Sequence, residues 1–221
     1  VLESLVAMCV GIGLAAACGF RVFVPLLAAS VATKAGLLAP GDGWAWIGSW
    51  PAICVLGSAC AVELVGYYIP WVDHLLDTLA TPAATIAGAL VAATQAHGVL
   101  AGSESVHPAL MWAGAAITGG GVAAAVQTGT VAVRATSTIT TAGLGNPIVA
   151  TAENTLAAVL SVLAIVAPIA VGLLIMVLVF FVARRIIRRR RAARANSASR
   201  QPLTGPVSVP ESIARSLRQP A

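Results

Sequence analysis

A polytopic, all-α membrane helix bundle is the fold that three features of this sequence predict. Long stretches carry no charge, small residues recur within them at helical spacing, and a block of arginines follows directly after the longest. A mean hydropathy of +0.91, with 58% hydrophobic and 10% charged residues, lies outside the range of soluble domains. Leu156 to Ala183 exceeds the roughly 20 residues that a helix needs to cross a hydrocarbon core. It ends in Arg184, Arg185, Arg188, Arg189, Arg190 and Arg191, and arginines placed after a span are retained on the cytoplasmic side.

Charge is distributed unevenly. Ten of the thirteen basic residues lie from Arg184 onward, whereas the preceding chain has Arg21, Lys34 and Arg134 against seven acidic residues. The net charge of +5 therefore implies anionic lipid head groups as partners of the juxtamembrane arginines, and no nucleic acid. Two domains follow: a transmembrane part, 1–183, and a basic tail, 184–221, whose Ser-, Pro- and Arg-rich end from Ala192 is expected to lack a core. Within the tail, Glu211 to Arg218 is expected to form at most a transient surface helix. Cys9, Cys18, Cys54 and Cys60 lie in apolar runs without a CxxC or a neighbouring histidine, as free thiols do. LAAAC, Leu14 to Cys18, resembles a lipoprotein cleavage site, but Glu3 stands where basic residues should be, so an uncleaved first helix is expected.

The first span is predicted over Ser4 to Val31, kinked at Arg21 because Pro25 lacks the N–H that would bond one turn back. Ala39 to Trp50, with three tryptophans, reads as an interfacial loop. The second span, Pro51 to Ile69, contains Glu63. In PWVDHLLDTLATP, Val72, Leu75, Leu76 and Leu79 oppose Asp73, His74, Asp77 and Thr78, which predicts a short interfacial helix before a third span over Ala83 to Leu100. The fourth span begins near Ala109. Along it Gly120, Ala123, Gln127, Thr130, Arg134, Ser137 and Thr141 form one stripe that must face the bundle interior or water. Ile148 to Ala183 would measure about 54 Å as one helix, too long for a single pass. The favoured reading is a short helix bearing Glu153 and Asn154, then one span kinked at Pro168, making five spans with the N-terminus outside; a split at Pro168 into two spans, making six, is the alternative.

ASVATKAGL, Ala29 to Leu37, aligns with TSTITTAGL, Thr136 to Leu144, and at the same offset Gly13, Ala16 and Ala17 fall on Gly120, Ala123 and Ala124. A repeat across an odd number of spans would be inverted, as in many transporters; chance similarity among common membrane residues is the competing account. Each half would hold one arginine and one glutamate: Arg21 with Glu63, and Arg134 with Glu153.

Unpaired charge inside a bilayer is costly, so Arg21, Glu63, Arg134 and Glu153 should pair, reach water or lie near the interface. Together with Gln127, Thr130 and Ser137 they form either a polar pathway or a set of structural ion pairs. Asp73, His74 and Asp77 form a candidate interfacial acidic cluster able to relay protons, although a solvated helix face is the commoner outcome and no metal or other cofactor is expected. His97 and His107 are isolated. Enzyme signatures such as HExxH, GxSxG and GxxxxGK are lacking in the sequence, and Gly119 to Gly121 suit helix packing better than phosphate binding.

Three stretches, AACGFRVFVPLL (Ala16 to Leu27), ELVGYYIPWVDHLLDTLATPAATIAGAL (Glu63 to Leu90) and GLGNPIVATAENTLAAV (Gly143 to Val159), together resemble the bacterial membrane family called domain of unknown function 4126. The resemblance covers roughly Val1 to Ala183 and supports a helical protein of the bacterial cytoplasmic (inner) membrane, whose C-terminus the arginines from Arg184 are expected to hold on the cytoplasmic side. It points to Arg21, Glu63, Asp73, Asp77, Asn146, Pro147 and Glu153 without assigning chemistry to them. Asn154 stands where the family pattern has a second acid. The leading expectation is a transporter or channel-like protein for a solute, ion or lipid. A membrane scaffold or accessory subunit, working alone, as a homo-oligomer or with a membrane-protein partner, is the alternative, and an intramembrane enzyme built on Asp73 and Asp77 the third.

Overall fold

The computed structural model describes residues 2–41, 43–99 and 107–199, and every regular element among them is helical. The helices are α1 (Leu2–Cys18), α2 (Phe23–Lys34), α3 (Trp50–Gly66), α4 (Pro70–Val99), α5 (Pro108–Ala115), α6 (Gly121–Thr141), α7 (Asn146–Val166) and α8 (Pro168–Ser199). A single 3-10 turn, Ala45–Gly48, precedes α3, and a π turn, Ala116–Gly120, joins α5 to α6. One compact unit extends through Val179; a second, Phe180–Ala221, is described as far as Ser199 and consists there of the end of α8. Glu104 and Glu211 to Arg218 lie outside the described residues, as do the side chains of His74, His97, Arg189, Arg190 and Arg191.

Among the described residues, three stretches are long and apolar enough to cross a membrane: Trp71–Gln95, Ala109–Thr141 and Asn146–Val166. Shorter apolar helices are Leu2–Cys18, Phe23–Lys34, Trp50–Gly66 and Pro168–Val182. The outer surface agrees, since Val55, Val62, Val65, Ile117, Ile139, Leu156 and Leu173 all point outward. An apolar exterior of this extent fits lipid rather than water.

The inside is built from small side chains, the pattern of helices that approach closely in lipid. Ala15, Ala16, Ala17, Ala123, Ala150, Ala157 and Ala164 are fully buried around Leu14 and Val91. On α7, Ala150, Glu153, Ala157, Ser161 and Ala164 form one buried stripe at spacings of three and four. Gly88 of α4 meets Gly119 of the π turn so closely that a Cβ on Gly119 would clash with the Gly88 carbonyl oxygen. Glycine there admits a neighbouring backbone, the packing role expected of it, and Gly120 likewise faces Thr85, whereas Gly121 borders open space.

Several elements differ from the sequence-based expectation. The first span is not one kinked helix. Gly11 lies against Ala92 and Gln95 of α4, and Gly41 N–H donates to the Thr94 carbonyl at 3.1 Å. The chain therefore leaves that level, turns at residues 19–22 and returns, so α1 and α2 form a helical hairpin with Arg21 at its tip. Pro25 causes no kink because it sits in the first turn of α2, where its missing N–H is not needed. The amphipathic stretch from Pro70 is no separate interfacial helix; it is the beginning of α4, which continues through Pro82. Glu153 and Asn154 belong to the body of α7 rather than to a preceding short helix. At Pro168 the chain is interrupted by Ala167 alone, with φ −131° and ψ 56°, so α7 and α8 are two helices joined by a sharp bend. Beyond Arg191 the helix continues to Ser199, into the segment expected to lack structure.

The matched nonapeptides have a local physical cause. Both end a helix at a left-handed glycine, Gly36 at φ 74° after α2 and Gly143 at φ 86° after α6, followed by leucine.

Two outcomes test this packing. Gly119→Ala is expected to destabilise the detergent-solubilised protein by about 1–3 kcal/mol through overpacking, read as a lower thermal midpoint. Gly114→Ala and Gly121→Ala, where a Cβ would meet nothing within 4 Å, are expected to leave the midpoint unchanged or slightly raised.

Candidate functional site

The hairpin turn creates the site. Ending α1 at Cys18 and restarting at Phe23 leaves amide N–H groups at the N-terminus of α2 without helical partners. Glu63, in the last turn of α3, accepts from Val22 N–H at 2.7 Å and Phe23 N–H at 2.9 Å. Its carboxylate thus caps α2 and opposes the positive end of that helix. No ion pair joins it to Arg21; both arginines go to Glu153 instead.

Arg21 points from the turn into α7. Its Nη1 donates to Glu153 Oε2 at 2.9 Å and to the Phe20 carbonyl, its Nη2 to the Ala150 carbonyl at 3.3 Å, and its Nε to Asn154 Oδ1. An amide oxygen at position 154 satisfies the guanidinium, so a second acid is not required. Arg134 comes from the buried stripe of α6. Its Nε and Nη2 donate to the same Glu153 carboxylate and its Nη1 to Asp73 Oδ1. Glu153 therefore bridges two guanidinium groups, each at most 4% exposed. Asp73 lies in the first turn of α4, where the helix dipole favours a carboxylate.

Tyr67, at the C-terminus of α3, completes the cluster. Its ring centre lies 3.7 Å from Arg21 Cζ and 4.5 Å from Arg134 Cζ, within cation–π range of both. Sequence reasoning passed over it; the signal was a pair of tyrosines, Tyr67 and Tyr68, set directly before the Ile-Pro of a charged motif. Tyr68 is exposed beside the cluster, its hydroxyl 2.9 Å from Thr151 Oγ1 and within reach of the Asn154 amide.

Asp77 stands apart. Its Oδ1 approaches Arg134 Nη1 to 3.4 Å without making a hydrogen bond, and its side chain is 28% exposed. The cluster holds Asp73, Asp77 and Glu153 against Arg21 and Arg134, one carboxylate in excess, and the excess sits at the open edge.

The two groups of residues separated by sequence reasoning are thus one. Asp73 and Asp77 belong to the same network as Arg21, Arg134 and Glu153, because Arg134 of α6 reaches the beginning of α4. Of the α6 stripe, Gln127 and Thr130 are buried deeper in the bundle, with Thr130 Oγ1 donating to the Gln127 carbonyl, while Ser137 is half-buried and apart from the charges. His107 caps α5, its Nδ1 accepting from Ala109 N–H. Cys9, Cys18 and Cys60 are buried free thiols and Cys54 is exposed. Among the described residues no three His, Cys, Asp or Glu side chains are arranged to hold a metal ion.

The charges also lie at one end of the bundle. The turns at residues 19–22, 67–69 and 142–145 are at that end, whereas at the other, where α2 ends and α5 begins, Trp44 stacks on Trp46 and meets Trp112 at a tilt.

No curated protein and no solved structure matches this chain. Residues 8–188 match the family described as domain of unknown function (DUF4126), and on that match, which takes in every charged residue of the cluster, the chain belongs to this family.

Proposed function

We propose that this protein is a small transporter or channel-like protein of the bacterial cytoplasmic membrane, carrying a cation or proton past the Arg21–Glu153–Arg134–Asp73 cluster. The observation behind this reading is Asp77, a partly exposed carboxylate that gives the network one acid more than it has base. Intramembrane ionisable groups mark ion pathways and proton relays, and a broken helix beside them is a recurrent feature of transporter sites. Gln127 and Thr130 extend buried polarity from Arg134 into the bundle.

The arginines from Arg184 support a cytoplasmic C-terminus. Lys34 and the tryptophans lie at the same end as the N-terminus of α1, opposite the charged cluster.

A second reading, a scaffold, is favoured by the saturation of the buried part of the network and by the exposed Arg184, Arg185 and Arg188 on the end of α8. Deleting Ala192 to Ala221 separates the two: a scaffold should lose its partner in pull-downs, whereas a transporter keeps its flux.

Three substitutions divide structure from transport. Glu153→Gln leaves two buried guanidinium groups short of charge and is expected to cost about 3–5 kcal/mol of stability, seen as loss of folded protein in detergent. Glu63→Gln keeps one acceptor for the N-terminus of α2 and is expected to cost only about 1 kcal/mol. Asp77→Asn is expected to leave the thermal midpoint in place and to reduce monovalent-cation or proton flux into proteoliposomes several-fold; unchanged flux in a folded Asp77→Asn protein would remove the basis of the transport reading.

A further inference from the structure

The face of α2 turned away from α1 borders a groove shared with α3 and α7. Val24, Ala28 and Val31 line it from α2 and Ala35 from its C-cap, Cys60 from α3, and Ala158 and Ser161 from α7. Its volume is about 360 Å³, within the range of sites that hold small molecules. The lining makes no polar demand on an occupant, because the Ser161 hydroxyl already donates to the Ala157 carbonyl at 2.6 Å. From Val24 to Ala35 the groove follows the helix for about 17 Å at 1.5 Å per residue. One leaflet's chains fill roughly half of a ~30 Å hydrocarbon core, so the length corresponds to a single leaflet.

The rim is charged at one end only. Lys34, between the lining residues Ala35 and Val31, is exposed, and its ammonium group lies 5.1 Å from the centre of the Trp50 ring. Among the described residues no carboxylate is within ion-pair distance of it. Trp44, Trp46 and Trp50 surround the same end, the residue type that settles at the head-group level. An apolar slot one leaflet deep thus ends in an unpaired cation where lipid phosphates are found.

We propose that this groove is a binding site for one acyl chain of an anionic phospholipid, with the head-group phosphate on Lys34 and the chain lying along α2 against α7. The site is separate from the charged cluster and does not depend on the transport reading.

The test uses the full chain in nanodiscs of equal phosphatidylglycerol and phosphatidylcholine, released into the gas phase for native mass spectrometry. The wild type is expected to retain phosphatidylglycerol in preference to phosphatidylcholine. Ala28→Trp fills the groove from α2 and Ala158→Trp from α7, and each is expected to reduce retained lipid several-fold. Should one variant misfold, the other tests the same volume from the opposite wall. Lys34→Glu is expected to abolish the preference for the anionic lipid while an acyl chain is still retained, and Lys34→Arg to restore the preference. Equal retention in a folded Ala28→Trp or Ala158→Trp protein, or an unchanged preference in Lys34→Glu, would overturn the proposal. So would a Cys60 to Cys60 crosslink between copies in the bilayer, which would show a second chain covering the groove.

Discussion

The Glu153 carboxylate placed between two arginines is the contact on which the rest of the site depends. It ties together the α1–α2 turn through Arg21, α6 through Arg134 and, through Arg134 again, the first turn of α4. Two guanidinium groups close enough to share one tyrosine ring would repel each other in a medium of low dielectric constant. The carboxylate between them and the ring facing both turn that repulsion into a fixed spacing. Desolvating so many charges is costly, and the excess of hydrogen bonds to Arg21 and Arg134 offsets part of that cost. The network is consequently a poor source of net stability and a strong determinant of register: a slip of one helical turn would leave a buried ion without a partner.

Glu63 solves a different problem with the same chemistry. A helical hairpin turned inside a bundle exposes backbone donors where little water is available, and each unsatisfied group there is expensive. One carboxylate accepting two of these N–H groups allows the chain to reverse at residues 19–22. The turn in turn aims Arg21 at α7. The two glutamates that looked equivalent in the sequence therefore play unequal parts, one holding backbone and the other holding side chains.

The helix content, the inward polar face of α6 and the packing role of Gly119 were legible in the sequence because each follows from spacing along one helix. Arg21, Asp73, Arg134 and Glu153 were legible as residues that needed partners, since charge in an apolar run has few alternatives. Their pairing was not legible. It depends on the α1–α2 reversal, and Pro25, read as a kink, gives the same signal when it opens a new helix. The amphipathic stretch from Pro70 misled for a related reason: its polar face, with Asp73 and Asp77, resembles a solvated surface, but it is matched by Arg134 across a helix interface. Tyr67 escaped notice because an aromatic residue near a span end has a ready explanation as an interfacial anchor.

The placement of the charges at one end of the bundle bears on their chemistry. At the bilayer centre an excess carboxylate would have to be neutralised by a proton or a bound cation. Beside the turns at residues 19–22, 67–69 and 142–145, it needs only a route to the interface, and the exposed edge of Asp77 provides one. Moving inward, the next polar groups are Thr130 and Gln127, about one and two turns from Arg134 along α6, and these are neutral. A cation arriving at Asp77 would pass from a region rich in acid to one offering only oxygen and amide dipoles, with Arg134 in between as a positive barrier. On the transport reading proposed above, this order gives attraction at the mouth and repulsion at the neck, and the Arg134 contacts to Glu153 and Asp73 that set it also hold the helices in register.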